Sequence, residues 1–346
     1  MRKLLIPSNK SIYEALIQLN NIEEDVSRLI LFVIDEDHKV KGSLTDGDIR
    51  RVLIRNKDLN QPVEEVCNKD FIHVKEPVSF IKVSDYRKKN IKMLPILDKD
   101  GRFVRLVDVD KIEAELPIDC VIMAGGRGKR LSPLTDSVPK PMLPLAGIPI
   151  IEHNINRLIT YGIKKIYISV RYLGEQIQEY FGDGSAKGIS IEYIWEEKSL
   201  GTAGALSLVQ QFNYEHILLM NSDLFTNADY EDLYIQLLKT KADMVVASTE
   251  YKVDVPYAVF ETNGDEVKGF KEKPSYIYQS NAGIYIFKKE LVAKIPKNEF
   301  YNITDLMETI VDEGKKLVFN PIVGYWIDIG KPSDYVQAQN FVKHIQ

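Results

Sequence analysis

Residues 124–149 read Ala-Gly-Gly-Arg-Gly-Lys-Arg-Leu-Ser-Pro-Leu-Thr-Asp-Ser-Val-Pro-Lys-Pro-Met-Leu-Pro-Leu-Ala-Gly-Ile-Pro, a concentration of glycine and cation suited to phosphate. Gly125, Gly126 and Gly128 carry no Cβ, so their backbone N–H groups can approach phosphate oxygens. Arg130 offers a planar fork of donors and Lys140 a mobile point charge. The glycines alone also fit a tight strand-to-helix turn followed by a proline-stiffened loop. The spacing matches neither a P-loop, which ends in Lys-Ser/Thr, nor the Gly-x-Gly-x-x-Gly dinucleotide fingerprint. Two cations on a glycine turn, directly after the apolar run Ile118–Met123, nonetheless favour a phosphate ligand.

Two carboxylates stand where a hard cation would need them. Asp223 ends the run Leu218-Leu-Met-Asn-Ser-Asp, and Asp328 lies in Tyr325-Trp-Ile-Asp-Ile-Gly330. Each alone also reads as a helix or turn cap. Together they suffice for Mg²⁺, which often takes two protein carboxylates when phosphates and waters complete its octahedron. Asp334 reads as a cap of the terminal helix rather than a third ligand. Glu272 and Lys273, in Gly269-Phe-Lys-Glu-Lys-Pro274, read in isolation as a solvated charge cluster before a proline turn. Asn281 and Gly283 read as the entrance of a strand after an Asn turn. The stretch Glu196-Glu197-Lys-Ser-Leu200-Gly201-Thr202 reads as a short loop in which Thr202 caps a helix.

The elements that must position these residues follow from hydrophobic period. From residue 118 onward strands and helices alternate: strands at Ile118–Met123, Lys165–Val170, Ile189–Ile194 and His216–Asn221, and helices at Ile148–Tyr161, Leu173–Phe181 and Ala203–Gln211. This order predicts a doubly wound α/β domain whose ligands collect beyond the strand C-termini. Residues 1–116 form a separate unit with an internal echo. A Ser-capped helix from Ser11, a strand Arg28–Ile34, the turn Asp35-Glu-Asp-His and a helix from Asp46 recur as Val78–Lys89, Met93–Leu97 and Asp98-Lys-Asp-Gly. Pro117 marks the boundary, giving domains 1–116 and 118–346.

The segment from Gly125 resembles the signature of the sugar-nucleotide pyrophosphorylase family, G-G-x-G-x-R-L-x-P-L-T followed by P-K-P-M-L-P. The resemblance covers about two-thirds of the chain. It implies a Mg²⁺-dependent transfer of a nucleoside monophosphate from a nucleoside triphosphate to a sugar 1-phosphate. By the same resemblance Arg130 clamps the β- and γ-phosphates and Lys140 contacts the reacting phosphates, while Asp223 and Asp328 hold the metal. Lys273 of the E-K-P motif binds the sugar phosphate and Glu272 the sugar hydroxyls. Glu197, Leu200 and Gly201 approach base and sugar, and Asn281 and Gly283 the sugar. Tyr257-Ala258 departs from the Tyr-Gly of many relatives, which puts inherited sugar specificity in doubt.

Residues 1–116 resemble a tandem CBS pair, best in Gly42-Ser-Leu-Thr45-Asp46-Gly-Asp48-Ile-Arg50, where Thr45 and Asp48 would meet an adenine or guanine nucleotide. The second repeat, Leu106-Val-Asp108-Val-Asp110, lacks that pattern, and a strand with a Thr cap explains the first equally. The expected whole is a mixed-sheet nucleotidyltransferase domain preceded by a regulatory or oligomerising CBS pair. The combination resembles bacterial guanylyltransferases that activate glucosamine 1-phosphate, which makes GTP the favoured donor. Mannose 1-phosphate, uridylyl, thymidylyl or cytidylyl transfer, and a catalytically retired nucleotide sensor, are the alternatives.

Composition narrows the partners. The chain has 346 residues, 45% of them hydrophobic, with 45 Lys+Arg against 50 Asp+Glu and a formal charge of -5. Such mild acidity argues against broad nucleic-acid binding. Met1-Arg-Lys-Leu-Leu meets Pro7 too soon for a secretory segment, and no apolar run reaches membrane-spanning length. Cys67 and Cys120, the only cysteines, read as reduced thiols. A cytoplasmic homo-oligomer, without membrane or nucleic-acid partners, is expected.

Overall fold

A computed structural model describes residues 2–22, 29–77 and 80–345. Arg28, Val78 and Ser79, which belong to the expected elements above, lie outside the described residues. The chain divides into two compact units, residues 1–116 with 160–162, and residues 117–159 with 163–346.

The first unit contains β1 (Leu5–Pro7), α1 (Ile12–Asn20), β2 (Ile30–Ile34), β3 (Val40–Thr45), α2 (Asp46–Asn56), α3 (Val63–Val66), β4 (Val74–Lys75), α4 (Val83–Lys88), β5 (Met93–Leu97) and β6 (Phe103–Asp108). Its two three-stranded sheets, β1-β2-β3 and β4-β5-β6, have the same topology, a parallel pair followed by an antiparallel hairpin. Each hairpin slips register at the same place, between Val33 and Ile34 and between Ile96 and Leu97. At the following turns, Asp35 and Asp98 each accept the backbone N–H four residues on. The internal echo in the sequence is thus a repeated β-α-β-β unit. Ile30, Phe32 and Met93 form a shared cluster between the sheets, so each repeat covers an apolar face of the other.

The second unit contains β7 (Ile118–Met123), β8 (Pro144–Leu145), β9 (Ile148–Pro149), α5 (Ile150–Thr160), β10 (Lys165–Val170), α6 (Gly174–Phe181), β11 (Ser190–Trp195), β12 (His216–Asn221), β13 (Leu224–Thr226), α7 (Tyr230–Thr240), β14 (Met244–Asp254), β15 (Val259–Asn263), β16 (Glu266–Lys271), β17 (Ser275–Lys288), α8 (Ile303–Asp312), β18 (Leu317–Pro321), β19 (Trp326–Asp328) and α9 (Pro332–Ile345). The main sheet has the order β11-β10-β7-β12-β17-β14-β18. Strands β10, β7 and β12 run parallel, and β17 is antiparallel to both β12 and β14, so the sheet is mixed.

β7 is central and buried on both faces, which explains why all but one of its residues are apolar. Its one charge, fully buried Asp119, is satisfied by the backbone N–H groups of Asn213 and Tyr214 at 2.5 and 3.1 Å. On one sheet face Ile303, Leu306 and Ile310 of α8 pack against Val121, Leu219 and Phe287. Each such fully buried side chain contributes about 1.5–3 kcal/mol. Elsewhere Leu131, Leu143 and Leu145 share a core with Ile327, Ile329 and Tyr335, which fastens the far end of the glycine-rich segment to β19 and α9.

Two expected boundaries shift. The helix expected over Ala203–Gln211 is only a 3₁₀ turn, Gly204–Leu208. Gly204 weakens a helix start, and the N–H groups of Ala203 and Gly204 are drawn to the Tyr301 carbonyl, at 3.0 Å each. Asn281 does not open its strand. β17 begins six residues earlier, because residues 275–281 pair with the outer half of β14. No helix among the described residues is long and apolar enough to cross a membrane.

Candidate active site

The C-terminal ends of β7, β11 and β12 open onto one cavity of about 440 Å³. Residues 124–130 leave β7 directly along its wall, and Gly125, Gly126, Gly128 and Arg130 line it. Gly125 has a steric reason to be glycine: a Cβ there would lie 2.7 Å from Glu196 Oε1. No hydrogen bond or ion pair engages the exposed Arg130 guanidinium among the described residues, which leaves its fork free for an anion.

Lys140, held in a short 3₁₀ turn after Pro139, pairs its ammonium with Asp223 Oδ2 across the cavity. Asp223 sits in the turn between β12 and β13. That turn is fixed from behind by Asn154 of α5, which is 2% exposed and donates to the carbonyls of Ser222 and Leu224 at 3.4 and 2.9 Å. β13 pairs with β19 so that Leu224 faces Asp328, and Ile329 N donates to the Asp223 carbonyl at 3.1 Å. Two carboxylates 105 positions apart in the chain therefore become neighbours.

Their electrostatics suit a hard cation. Asp223 Oδ1 is buried with no hydrogen-bond partner, an arrangement that costs free energy unless something binds it. Burial, and then the negative charge of Asp223, raise the Asp328 carboxyl above its ordinary pKa, with Lys140 and Arg130 pulling the other way. Among the described residues no cluster of three or more His, Cys, Asp or Glu side chains could hold a metal. The donor set thus fits an ion that takes most of its oxygens from phosphates and water, as Mg²⁺ does.

Other expected residues are placed differently. Gly201 lines the cavity, whereas Leu200 is fully buried behind its wall. Glu197 is exposed and outside the lining. Its neighbour Glu196 is the carboxylate in the wall, 6% exposed, accepting from the Ser169 hydroxyl and from Leu200 N at 3.0 Å. Thr202 caps not its own turn but α8, accepting from Ile303 N at 2.9 Å. Asp334 accepts from Gly330 N and Lys331 N at 3.2 and 3.0 Å, at the start of α9. Gly283 is buried beside Asn221, a lining residue, while Asn281 is exposed and accepts from Gly283 N at 2.9 Å. Glu272 and Lys273 are exposed on the turn between β16 and β17, outside the lining. Sequence reading missed Glu196, Asn154, Asn221, Phe300 and Asn302. Glu196 was within reach, since the residue just past a parallel strand faces the ligand end; Phe300 and Asn302 carry no local signal.

Comparison with known proteins agrees with this architecture. Residues 119–345 match the family model described as nucleotidyl transferase, and residues 1–55 match that of the CBS domain. A mannose-1-phosphate guanylyltransferase from Mycobacterium tuberculosis is 31% identical over 227 residues, covering 64% of this chain and 63% of the relative. A UTP--glucose-1-phosphate uridylyltransferase from Synechocystis is 31% identical over 239 residues, covering 63% and 61%. This chain thus spans about three-fifths of the length of these curated relatives. The crystal structure of HddC from Yersinia pseudotuberculosis superposes with a TM-score of 0.52 at 25% identity, covering 65% of this chain and 99% of that one.

Proposed function

Since the chain belongs to the nucleotidyl transferase family, we propose that it transfers a nucleoside monophosphate from a nucleoside triphosphate to a sugar 1-phosphate and releases pyrophosphate. The observation that carries this reading is the Lys140–Asp223 pair, with its orphaned Oδ1, sharing one cavity with a glycine loop and with Arg130, whose guanidinium has no partner among the described residues. In the reaction a phosphate oxygen of the sugar 1-phosphate attacks the α-phosphorus in line. The bond from that phosphorus to the bridging oxygen breaks, and its electron pair leaves with pyrophosphate. Arg130, Lys140 and the backbone N–H groups of residues 125–128 take up the negative charge that spreads over the phosphates. A magnesium ion held by Asp223 and Asp328 would neutralise phosphate oxygens when bound. No strong general base is needed, because the acceptor phosphate is already anionic at neutral pH.

For the acceptor, Lys273 is assigned to the sugar phosphate and Glu272 to its hydroxyls. Both lie outside the cavity lining, so the turn between β16 and β17 must approach the bound acceptor. Gly283 and Asn281 would flank the sugar at the end of β12. GTP is the favoured donor, and glucosamine 1-phosphate the favoured acceptor over mannose 1-phosphate. Support for guanine comes from Glu196: its buried carboxylate can accept from N1–H and N2–H together, two adjacent donors that uracil and thymine lack. The relative from Mycobacterium tuberculosis, named a guanylyltransferase, points the same way. Pyrophosphate release across four triphosphates tests the choice: GTP should give the highest kcat/KM, and a tenfold preference for another base would reject it.

The first unit supports a second, regulatory reading. A cavity of about 350 Å³ is lined by residues of both repeats, among them Thr45, Asp48 and Lys92. An adenine or guanine nucleotide is proposed as its ligand, with self-association of a cytoplasmic enzyme as the accompanying role. In this structure the Thr45 hydroxyl donates to Asp48 Oδ2 at 2.6 Å and caps α2, so a ligand would compete with that cap. A mass measurement with and without AMP, GDP and GTP checks both roles. Unchanged mass with no ligand uptake would leave the unit a scaffold.

A further inference from the structure

Phe300 is a large aromatic side chain in the wall of the cavity, yet 61% exposed. An exposed phenyl ring on a free loop would need no explanation, but this one is on a segment pinned at several points. Tyr301 N donates to the Leu200 carbonyl at 3.0 Å, and the Tyr301 carbonyl accepts from Ala203 N and Gly204 N. Asn298 N donates to the Ser207 hydroxyl at 3.1 Å. Two glycines make room for the segment. A Cβ on Gly201, whose φ is +76°, would lie 2.7 Å from the Tyr301 carbonyl oxygen, and one on Gly204 would lie 2.5 Å from that of Glu299. Tyr301 packs against the sheet core. Its neighbour Phe300 is thereby turned the opposite way, into the cavity.

We propose that Phe300 is a nucleotide-binding residue whose ring stacks on the base of the nucleoside triphosphate. This deepens the function proposed above and rests on it. The same Leu200 that anchors the segment through its carbonyl donates its N–H to Glu196. One loop therefore fixes both the carboxylate suited to the edge of a base and the ring suited to its face. Stacking on an aromatic ring tolerates any base, so Phe300 governs affinity for the nucleoside while Glu196 governs which base is chosen. The cavity's cationic end, at Lys140 and Arg130, is left to the phosphates.

The test is equilibrium dialysis of GTP and UTP against wild type, Phe300→Ala and Phe300→Tyr, with steady-state kinetics alongside. Phe300→Ala should weaken both triphosphates about tenfold and raise their KM to match. Phe300→Tyr should stay within twofold of wild type, and the KM for the sugar 1-phosphate should move less than twofold in either variant. An unchanged melting temperature for Phe300→Ala would separate this from a folding effect. Triphosphate affinity equal to wild type in Phe300→Ala, or a change confined to the sugar 1-phosphate, would overturn the inference and leave the proposed reaction standing. Failure of the wild type itself to bind any triphosphate would overturn both.

Discussion

Asp223 meets two demands at once: one oxygen holds Lys140 and the other is buried without a hydrogen-bond partner. Asp223→Asn keeps the shape and removes the charge. Turnover with magnesium should fall about 100-fold or more, a loss of several kcal/mol of transition-state stabilisation, while the melting temperature shifts little. Metal-dependent turnover that survives intact would remove Asp223 from the metal site. Glu196→Gln should act on choice rather than rate, since an amide cannot accept two donors as a carboxylate does. The preference for GTP over UTP should narrow by about 10–100-fold, measured as a ratio of kcat/KM. Arg130, Lys140 and Asp223, which the sequence singles out by charge beside a glycine turn or at the end of an apolar run, all line the cavity. Of the Glu196–Glu197 pair the sequence singled out Glu197, whereas the cavity lining contains Glu196. Adjacent residues at a strand end point to opposite sides, and only the partners of Glu196 at Ser169 and Leu200 decide which one is buried.

At the scale of elements, the strands of the main sheet could be read because β7, β10 and β12 are predominantly apolar. The turn at 204–208 and the early start of β17 could not, because each depends on a partner distant in the chain, Tyr301 for the turn and the outer half of β14 for the strand. The same dependence makes Gly201 sensitive. Gly201→Ala places a Cβ against the Tyr301 carbonyl at a positive φ, and should cost about 1–3 kcal/mol in urea unfolding. β12 carries a pH response of its own. Burial, with Lys288 adding to it, lowers the pKa of His216 below its ordinary 6.5, while Glu215 opposes the shift. The unfolded chain then takes up a proton at higher pH than the folded one, so the stabilising effect is present above pH 6.5 and is lost as pH falls toward the folded pKa. Melting temperature should drop over that window, and His216→Asn should flatten the drop; an unaltered slope would exclude His216 as its source.

For the whole molecule, the internal echo of residues 1–116 was visible as spacing, and the matching register slips and Asp turns of its two repeats give it a structural cause. The Thr cap that the sequence offered as the other reading of this stretch is present: Thr45 and Asp48 are engaged with each other at the start of α2. Thr45→Ala should therefore destabilise this unit by about 1 kcal/mol through the lost cap, measured by chemical denaturation. If a nucleotide also binds there, the variant should lose that binding, with the catalytic cavity still taking up GTP.

Pyrophosphate release tests the proposed transfer most directly. Four nucleoside triphosphates should be incubated with the 1-phosphates of glucose, mannose, glucosamine and N-acetylglucosamine, with magnesium and with Asp223→Asn as the control. The prediction is magnesium-dependent release requiring both substrates, greatest with GTP and glucosamine 1-phosphate and nearly abolished in the variant. Triphosphate binding without pyrophosphate release in any pairing would contradict it, and would make the chain a nucleotide sensor rather than a transferase.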